Sequence, residues 1–341
     1  MELDLKKCVE EMKKYVEGEH SPPPVSFETT FTVDNIHISC FHDLKPEDSE
    51  ARFLSVDASS YLLMKANNWR IGVSRCAYVL VEKINGKWVI SEEGCIDHIF
   101  PTIAPVNQRK FLIWAKLREY ESSLALSLLE KLEPEDFCLV DGAAFFGFGS
   151  KGKYSIDLYN ECFKRGIRLL MVSKNSPGLY SKKRQDLLAT LNMYGTLLQK
   201  DGKLGKCWIY HPIQRARIDC EDLYGDVTCV KLSPSSSRVF RCDVAEYIVK
   251  KGKDYMLKTV SELSNLSMDA RCNGYPAPLF LAHERTRIPK AKLLEYHELV
   301  QKTLAKEGLL DFLLLEVDVA SFRRHLLGLT FDFELLEDFE V

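Results

Sequence analysis

The stretch WRIGVSRCAYVLVEKINGKWVISEEGCIDHIF, residues 69–100, decides the fold. Arg70 to Lys83, with Trp69 before it, is rich in β-branched and aromatic residues and reads as a strand. Asn85-Gly86 is a strong two-residue hairpin signal, because the tight turn between strands needs positive φ at both central residues. Lys87 to Phe100 reads as the returning strand. Working outward, Arg52 to Val56 is a buried strand ending at Asp57. On the far side, Asn107 to Leu132 has helical spacing and stops before Pro134. Phe137 to Val140 is a short apolar strand ending in Asp141-Gly142. Ser155 to Arg165 reads as a helix ended by Gly166, and Ile167 to Val172 as another apolar strand.

The predicted order is β-β-β-α-β-α-β. Three meandering strands followed by crossovers predict an α/β chain with a mixed central sheet flanked by helices. That order is the ribonuclease H-like topology, with its core at about residues 50–175. Upstream, residues 2–17 read as a helix whose stripe is Leu5, Cys8 or Val9, Met12 and Val16. Ser21 to Pro24 then breaks the chain with three prolines. Residues 1–24 are therefore expected to be an N-terminal helix and linker, and 25–341 the main domain. The helix and the last eleven residues, FDFELLEDFEV, are candidate docking elements.

Composition bounds the function. The chain has 341 residues, 46% hydrophobic and 28% charged, as a globular protein does. No apolar run approaches the ~18 residues of a membrane span, so no membrane association is expected. MELDLKKCVEEMKKYVEG alternates charge with apolar residues and does not read as a secretory signal. Among 11 cysteines the closest pair, Cys220 and Cys229, is nine apart, so neither a zinc site nor a disulfide scaffold is expected. Reduced thiols point to the cytosol. The net charge of −3 is unevenly spread: residues 151–217 hold 14 Lys or Arg against 4 Asp or Glu. A surplus of ten is read either as a surface for a polyanion or, residue by residue, with Lys182, Lys183 and Arg184 as the solvated face of a helix.

Asp57 and Asp141 sit in matched settings, VDAS and VDGA, each an acid after an apolar strand and before small residues. Strand ends of such a sheet line the ligand crevice. On the long helix, Trp114, Leu117, Glu121, Leu124, Leu128 and Leu132 share one face, so Glu121 interrupts an apolar stripe. A buried carboxylate there needs a cation or a hydrogen-bond partner. Glu119 lies about 160° round the helix and is expected to face solvent. Asp57, Glu121 and Asp141 together would make an oxygen-lined site suited to Mg²⁺ or Mn²⁺. Two such ions ~4 Å apart activate water and stabilise the leaving oxygen of a phosphodiester. Lys174, after the strand RLLMV, is either a phosphate-holding residue or a surface lysine. His283 closes an apolar run eight residues after Tyr275, in a setting that suits a ligand or a base.

The ordered set VDASS at 56–60, REYE at 118–121, LVDGA at 139–143, VSK at 172–174, KLSPSSSRVFR at 231–241 and GYPAPLFLAHE at 274–284 resembles the NurA family of DNA nucleases. It spans about residues 50 to 290, and the rest of the active site would lie near 270–290. The resemblance implies a Mn²⁺-dependent 5′→3′ exonuclease and single-strand endonuclease. It also implies a homodimer that works with a HerA-type hexameric ATPase on DNA ends in recombination. Asp57, Glu121 and Asp141 would bind metal, His283 would complete or adjoin that site, and Tyr275 would lie in it. The motif alone does not choose between Glu119 and Glu121; the helix stripe favours Glu121. Two positions depart from the family pattern: Ala58 replaces a glycine and Ala143 a serine. A non-catalytic DNA-binding or ATPase-adaptor protein, or an RNA-directed ribonuclease H-like nuclease, are the alternative readings.

Overall fold

The computed structural model describes residues 2–20, 31–33, 35–142, 153–174, 179–216, 218 and 223–317. The proline break, Ala143 and the acidic residues 331–341 lie outside them. In chain order the strands are β1 (Phe31–Val33), β2 (Phe41–Leu44), β3 (Phe53–Lys65), β4 (Trp69–Ile84), β5 (Lys87–Ile103), β6 (Phe137–Asp141), β7 (Arg168–Ser173), β8 (Leu179–Ser181), β9 (Cys207–Gln214), β10 (Gly225–Lys231) and β11 (Phe240–Ala245). The helices are α1 (Glu2–Val16), α2 (Val106–Leu128), α3 (Lys153–Arg165), α4 (Leu187–Lys200), α5 (Glu246–Lys250), α6 (Lys253–Asn265), α7 (Ala277–Arg285) and α8 (Lys290–Lys306).

One nine-stranded sheet has the order β2-β9-β10-β11-β7-β6-β3-β4-β5. Its β5-β4-β3-β6-β7 part is the ribonuclease H-like unit: an antiparallel meander, then β6 and β7 parallel to β3. The hairpin turns where expected, with Asn85 at φ 52° and Gly86 at φ 75°. Positive φ at both residues matches the right-handed twist of the strands. Beyond β7 four antiparallel strands widen the sheet. Their apolar residues Trp208, Ile209, Val227, Cys229, Cys242 and Val244 join the same core as Phe53, Phe137 and Leu170.

Strand β3 does not stop at Asp57. Its parallel pairing with β6 ends at Val56↔Val140, but its antiparallel pairing with β4 continues to Lys65↔Arg70. Asp57 therefore lies inside a long strand, one residue past the point where that parallel register ends.

The N-terminal helix packs against β5 and α8. Cys8 and Met12 are buried, and Tyr15 donates to Glu316 Oε1 at 2.9 Å. The apolar stripe read as a docking element is thus already covered. None of the ten described cysteines is in a disulfide, and no described helix is long and apolar enough to cross a membrane.

Candidate active site

The C-terminal edge of the parallel strands gathers the acids. Asp141 is the last residue of β6 and pairs in register with Val172 of β7, two residues before Lys174. Asp57 stands beside that edge on β3. Strand alternation puts Asp57, Ser59 and Tyr61 on one face. Helix α7 and the segment leading to α8 meet that face: Ser59 Oγ and Thr286 Oγ1 are 2.7 Å apart, and Tyr61 OH donates to the Thr286 carbonyl at 3.1 Å. These contacts seat α7 so that His283, in its last turn, reaches the acids. His283 Nδ1 is 2.7 Å from Asp57 Oδ2.

Lys174 Nζ lies 3.1 Å from Asp141 Oδ2 and 3.3 Å from His283 Nδ1. Tyr275 OH is 2.8 Å from Asp141 Oδ1 and 3.0 Å from the Val172 carbonyl, so its proton serves one or the other acceptor. Tyr275 is aimed by the bend before it. Asn273 and Gly274 both take positive φ, 51° and 83°, and a Cβ on Gly274 would come within 2.6 Å of Ser236 Cβ. Glycine is required there both by conformation and by space.

Glu121 comes in from α2, which packs across β3 and β4. It is 3% exposed, as the apolar stripe predicts. The Ala58 amide donates to Glu121 Oε1 at 3.1 Å and to Asp57 Oδ1 at 2.7 Å, so one backbone N–H ties the two acids together. Arg118, one helical turn earlier, holds Glu121 Oε2 at 2.7 Å and also donates to the Asp141 carbonyl. Its guanidinium sits against Gly142, where a Cβ would strike it. Sequence reasoning quoted Arg118 within REYE without giving it a role; the signal was its i,i+3 spacing to a buried glutamate. Glu119 is half-buried and paired with Lys116 at 2.9 Å, rather than standing free in solvent.

The electrostatics are those of a crowded acid cluster whose repulsion Arg118 and Lys174 offset only in part. Burial pushes the Glu121 carboxyl up to about 8; Arg118 opposes this, while Asp57 and Asp141 add to it. Burial and the neighbouring Asp141 likewise raise Asp57. The hydrogen bond to Asp57 raises the His283 imidazole against the effect of burial. Ligand atoms of Asp57, Asp141 and His283 all lie within 4.8 Å of one another. Two carboxylates and an imidazole at that spacing fit a divalent ion such as Mn²⁺, whose charge would offset the mutual repulsion of the acids. All six residues singled out from the sequence therefore meet at one end of the sheet.

The NurA domain family model matches residues 30–288, which spans every one of these residues. The chain belongs to the NurA family of nucleases. Among solved structures, the NurA nuclease from Sulfolobus solfataricus aligns over 89% of this chain and 92% of its own, with 17% identity and a TM-score of 0.48. A NurA solved with manganese aligns over 89% and 95%, with 9% identity and a TM-score of 0.46. Endonuclease V from Ciona intestinalis, solved with a 24mer DNA, aligns over 70% and 84%, with 14% identity and a TM-score of 0.42. A search of the curated proteins gives no match. Asp57, Asp141 and His283, the three residues whose spacing could hold a metal ion, all lie within the matched span.

Proposed function

We propose that this NurA domain is a metal-dependent DNA nuclease that hydrolyses strands 5′→3′ from DNA ends and cuts single strands internally. Asp57, Glu121, Asp141 and His283 would hold Mn²⁺, with Mg²⁺ as the alternative. In the fuller reading the protein is a cytosolic homodimer that works with a HerA-type hexameric ATPase in resecting DNA ends for recombinational repair. Polarity, dimer and ATPase follow from the family resemblance.

The observation that carries the catalytic reading is the convergence of Asp57, Asp141 and His283 on one point from β3, β6 and α7. When bound, the ion supplies Lewis acidity for phosphodiester hydrolysis. The chain's own residues do the rest. Tyr275 fixes the Asp141 carboxylate, and the Ala58 amide fixes Asp57 and Glu121. Lys174 sets an ammonium beside Asp141, placed to attract a phosphate oxygen when substrate enters. His283 Nδ1 lies 2.7 Å from Asp57 Oδ2, a contact that orients its ring.

The test is incubation of end-labelled single-stranded DNA, duplex DNA and matched RNA with Mn²⁺, Mg²⁺ or EDTA. DNA cleavage with Mn²⁺ and none in EDTA is expected, with products released from the 5′ end. Metal binding without cleavage of any strand would establish the adaptor reading instead. Cleavage of RNA alone would establish an RNA-directed nuclease.

A further inference from the structure

The basic stretch at 151–217 is sorted by the structure into paired and unpaired cations. Arg165 pairs with Glu161 at 2.6 Å, Arg168 is buried against Glu262 at 3.0 Å, and Lys203 meets Asp201 at 3.2 Å. Lys174 belongs to the acid site. Lys182, Lys183, Arg184, Lys200 and Lys206 are exposed and have no acid within ion-pair distance among the described residues. These five flank a single element. Three lie in the turn before α4 and two at or beyond its C-terminal end. The acids nearest them in sequence are already engaged, Asp186 as the α4 N-cap on the Ala189 amide and Asp201 with Lys203.

Between those cations α4 carries no charge from Leu187 to Gln199. Its inner face is fixed: Leu187, Leu191 and Leu198 are buried, and a Cβ on Gly195 would come within 2.5 Å of Trp208. The helix therefore cannot turn its outer face inward. That outer face exposes Met193, Tyr194 and Leu197 at 56%, 41% and 51%. An amphipathic surface helix ordinarily covers this side with charge. The strip is joined to the acid site through one loop. Asn192 Nδ2 donates to the Ser237 carbonyl at 2.8 Å, and Ser236 Oγ to the Asn273 carbonyl at 2.5 Å, just before Tyr275.

A strip with cations at both ends and an apolar, aromatic middle fits a ligand with repeated negative charge and flat apolar faces. Protein interfaces are depleted in lysine, so the four lysines among these five cations suit a protein partner poorly. A duplex keeps its base faces stacked inside, whereas a single strand offers them for stacking. We propose that α4 and its basic flanks form a track for single-stranded DNA, with Tyr194 as a stacking platform, Met193 and Leu197 as its apolar floor, and Lys182, Lys183 and Arg184 on the phosphates. This rests on the nuclease reading and names where the strand runs beside that site.

The test measures binding of a fluorescent oligo-dT in EDTA across a salt series, so it does not depend on cleavage. The wild type is expected to bind. The triple variant Lys182→Ala, Lys183→Ala, Arg184→Ala should bind more weakly and lose about 2 from the slope of log affinity against log salt, at roughly 0.7 per phosphate contact. Tyr194→Ala should weaken binding at least about fivefold and leave the slope unchanged. Thermal melts verify that each variant is folded. Unchanged affinity and slope in folded variants would overturn the track. So would Met193→Glu and Leu197→Glu that alter the sedimentation of the protein alone and leave DNA affinity intact, since the face would then be a protein interface. The nuclease reading is judged separately, by wild-type cleavage in Mn²⁺, so either idea can fail alone.

Discussion

Arg118 Nη1 lies 2.7 Å from Glu121 Oε2, and the same guanidinium reaches the main chain at Asp141 and covers Gly142. One cation on α2 thus joins a buried helix acid to the end of the strand that carries another acid. It supplies positive charge to the cluster when no metal does.

That relationship separates the two glutamates of REYE. Glu121→Gln keeps the shape and removes the charge, so metal affinity should fall and cleavage should drop at least ~100-fold, about 2.7 kcal/mol of barrier. In EDTA the variant should melt no lower than the wild type, because removing one of three clustered, mutually repelling acids offsets the loss of its pair with Arg118. Glu119→Gln, which loses only a partly exposed pair with Lys116, should change both by little. Cleavage rate against Mn²⁺ concentration, with melts in EDTA, decides. A dead Glu119→Gln beside an active Glu121→Gln would sink the assignment.

Gly142→Ala should be costly twice over. Gly142 has φ +94°, which an alanine adopts only with strain of about 1–3 kcal/mol, and the new Cβ would displace Arg118. Stability should fall by that amount and cleavage by more than tenfold. Gly86→Ala is the control: its φ is +75° but the space beside it is open, so stability alone should drop. Urea unfolding and cleavage rates on both variants check the pair.

Asp57→Ala and Asp141→Ala should each abolish cleavage and leave the fold and most DNA binding in place. On the proposed reading the acids act on the transition state, while affinity comes mainly from cations on phosphates. Near wild-type cleavage by either variant at saturating Mn²⁺ would mean that the metal site lies elsewhere.

Acid should weaken one particular clamp. Asp97 accepts from Arg75 Nε and Nη2, both at 2.7 Å, and from Tyr296 OH at 2.5 Å, tying the β4–β5 pair to α8. Burial pushes its carboxyl up, but these donors more than offset it and hold it below the ordinary value of 3.8. A depressed acid contributes stability fully present above its unfolded value and lost as pH falls through its folded one. Asp97→Asn should therefore cost about 2 kcal/mol at neutral pH, as hydrogen bonds to a charged group do. The gap to wild type should close only below about pH 3.8. Urea midpoints across an acid series measure it; a gap that persists unchanged into strong acid would refute the clamp.

Local pattern carried much of this architecture. Asn85-Gly86 fixed the hairpin, and the spacing of Leu117, Glu121, Leu124 and Leu128 put Glu121, rather than Glu119, inward. The reading failed where small residues mimic a turn. Ala58, Ser59 and Ser60 follow Asp57 as loop residues would, yet β4 pairs with them and carries the strand on to Lys65. Tertiary pairing overrode local preference there. The approach of His283 to Asp57 depends on the Ser59–Thr286 and Tyr61–Thr286 contacts, which join segments more than 220 positions apart and leave no periodic trace. That Lys182 to Arg184 have no acid within ion-pair distance among the described residues was equally hidden, since charge counting does not tell a solvated cation from one holding a nearby acid.

Asp57 and His283 lie 226 positions apart, and α7 must dock on β3 before they meet. A ribosome therefore releases both aspartates and the strands beneath them long before it makes the imidazole and the tyrosine. A partly synthesised chain holds the acids without the helix that completes them. If cleavage needs all of them, the growing polypeptide stays harmless to nucleic acid until nearly the whole domain has emerged.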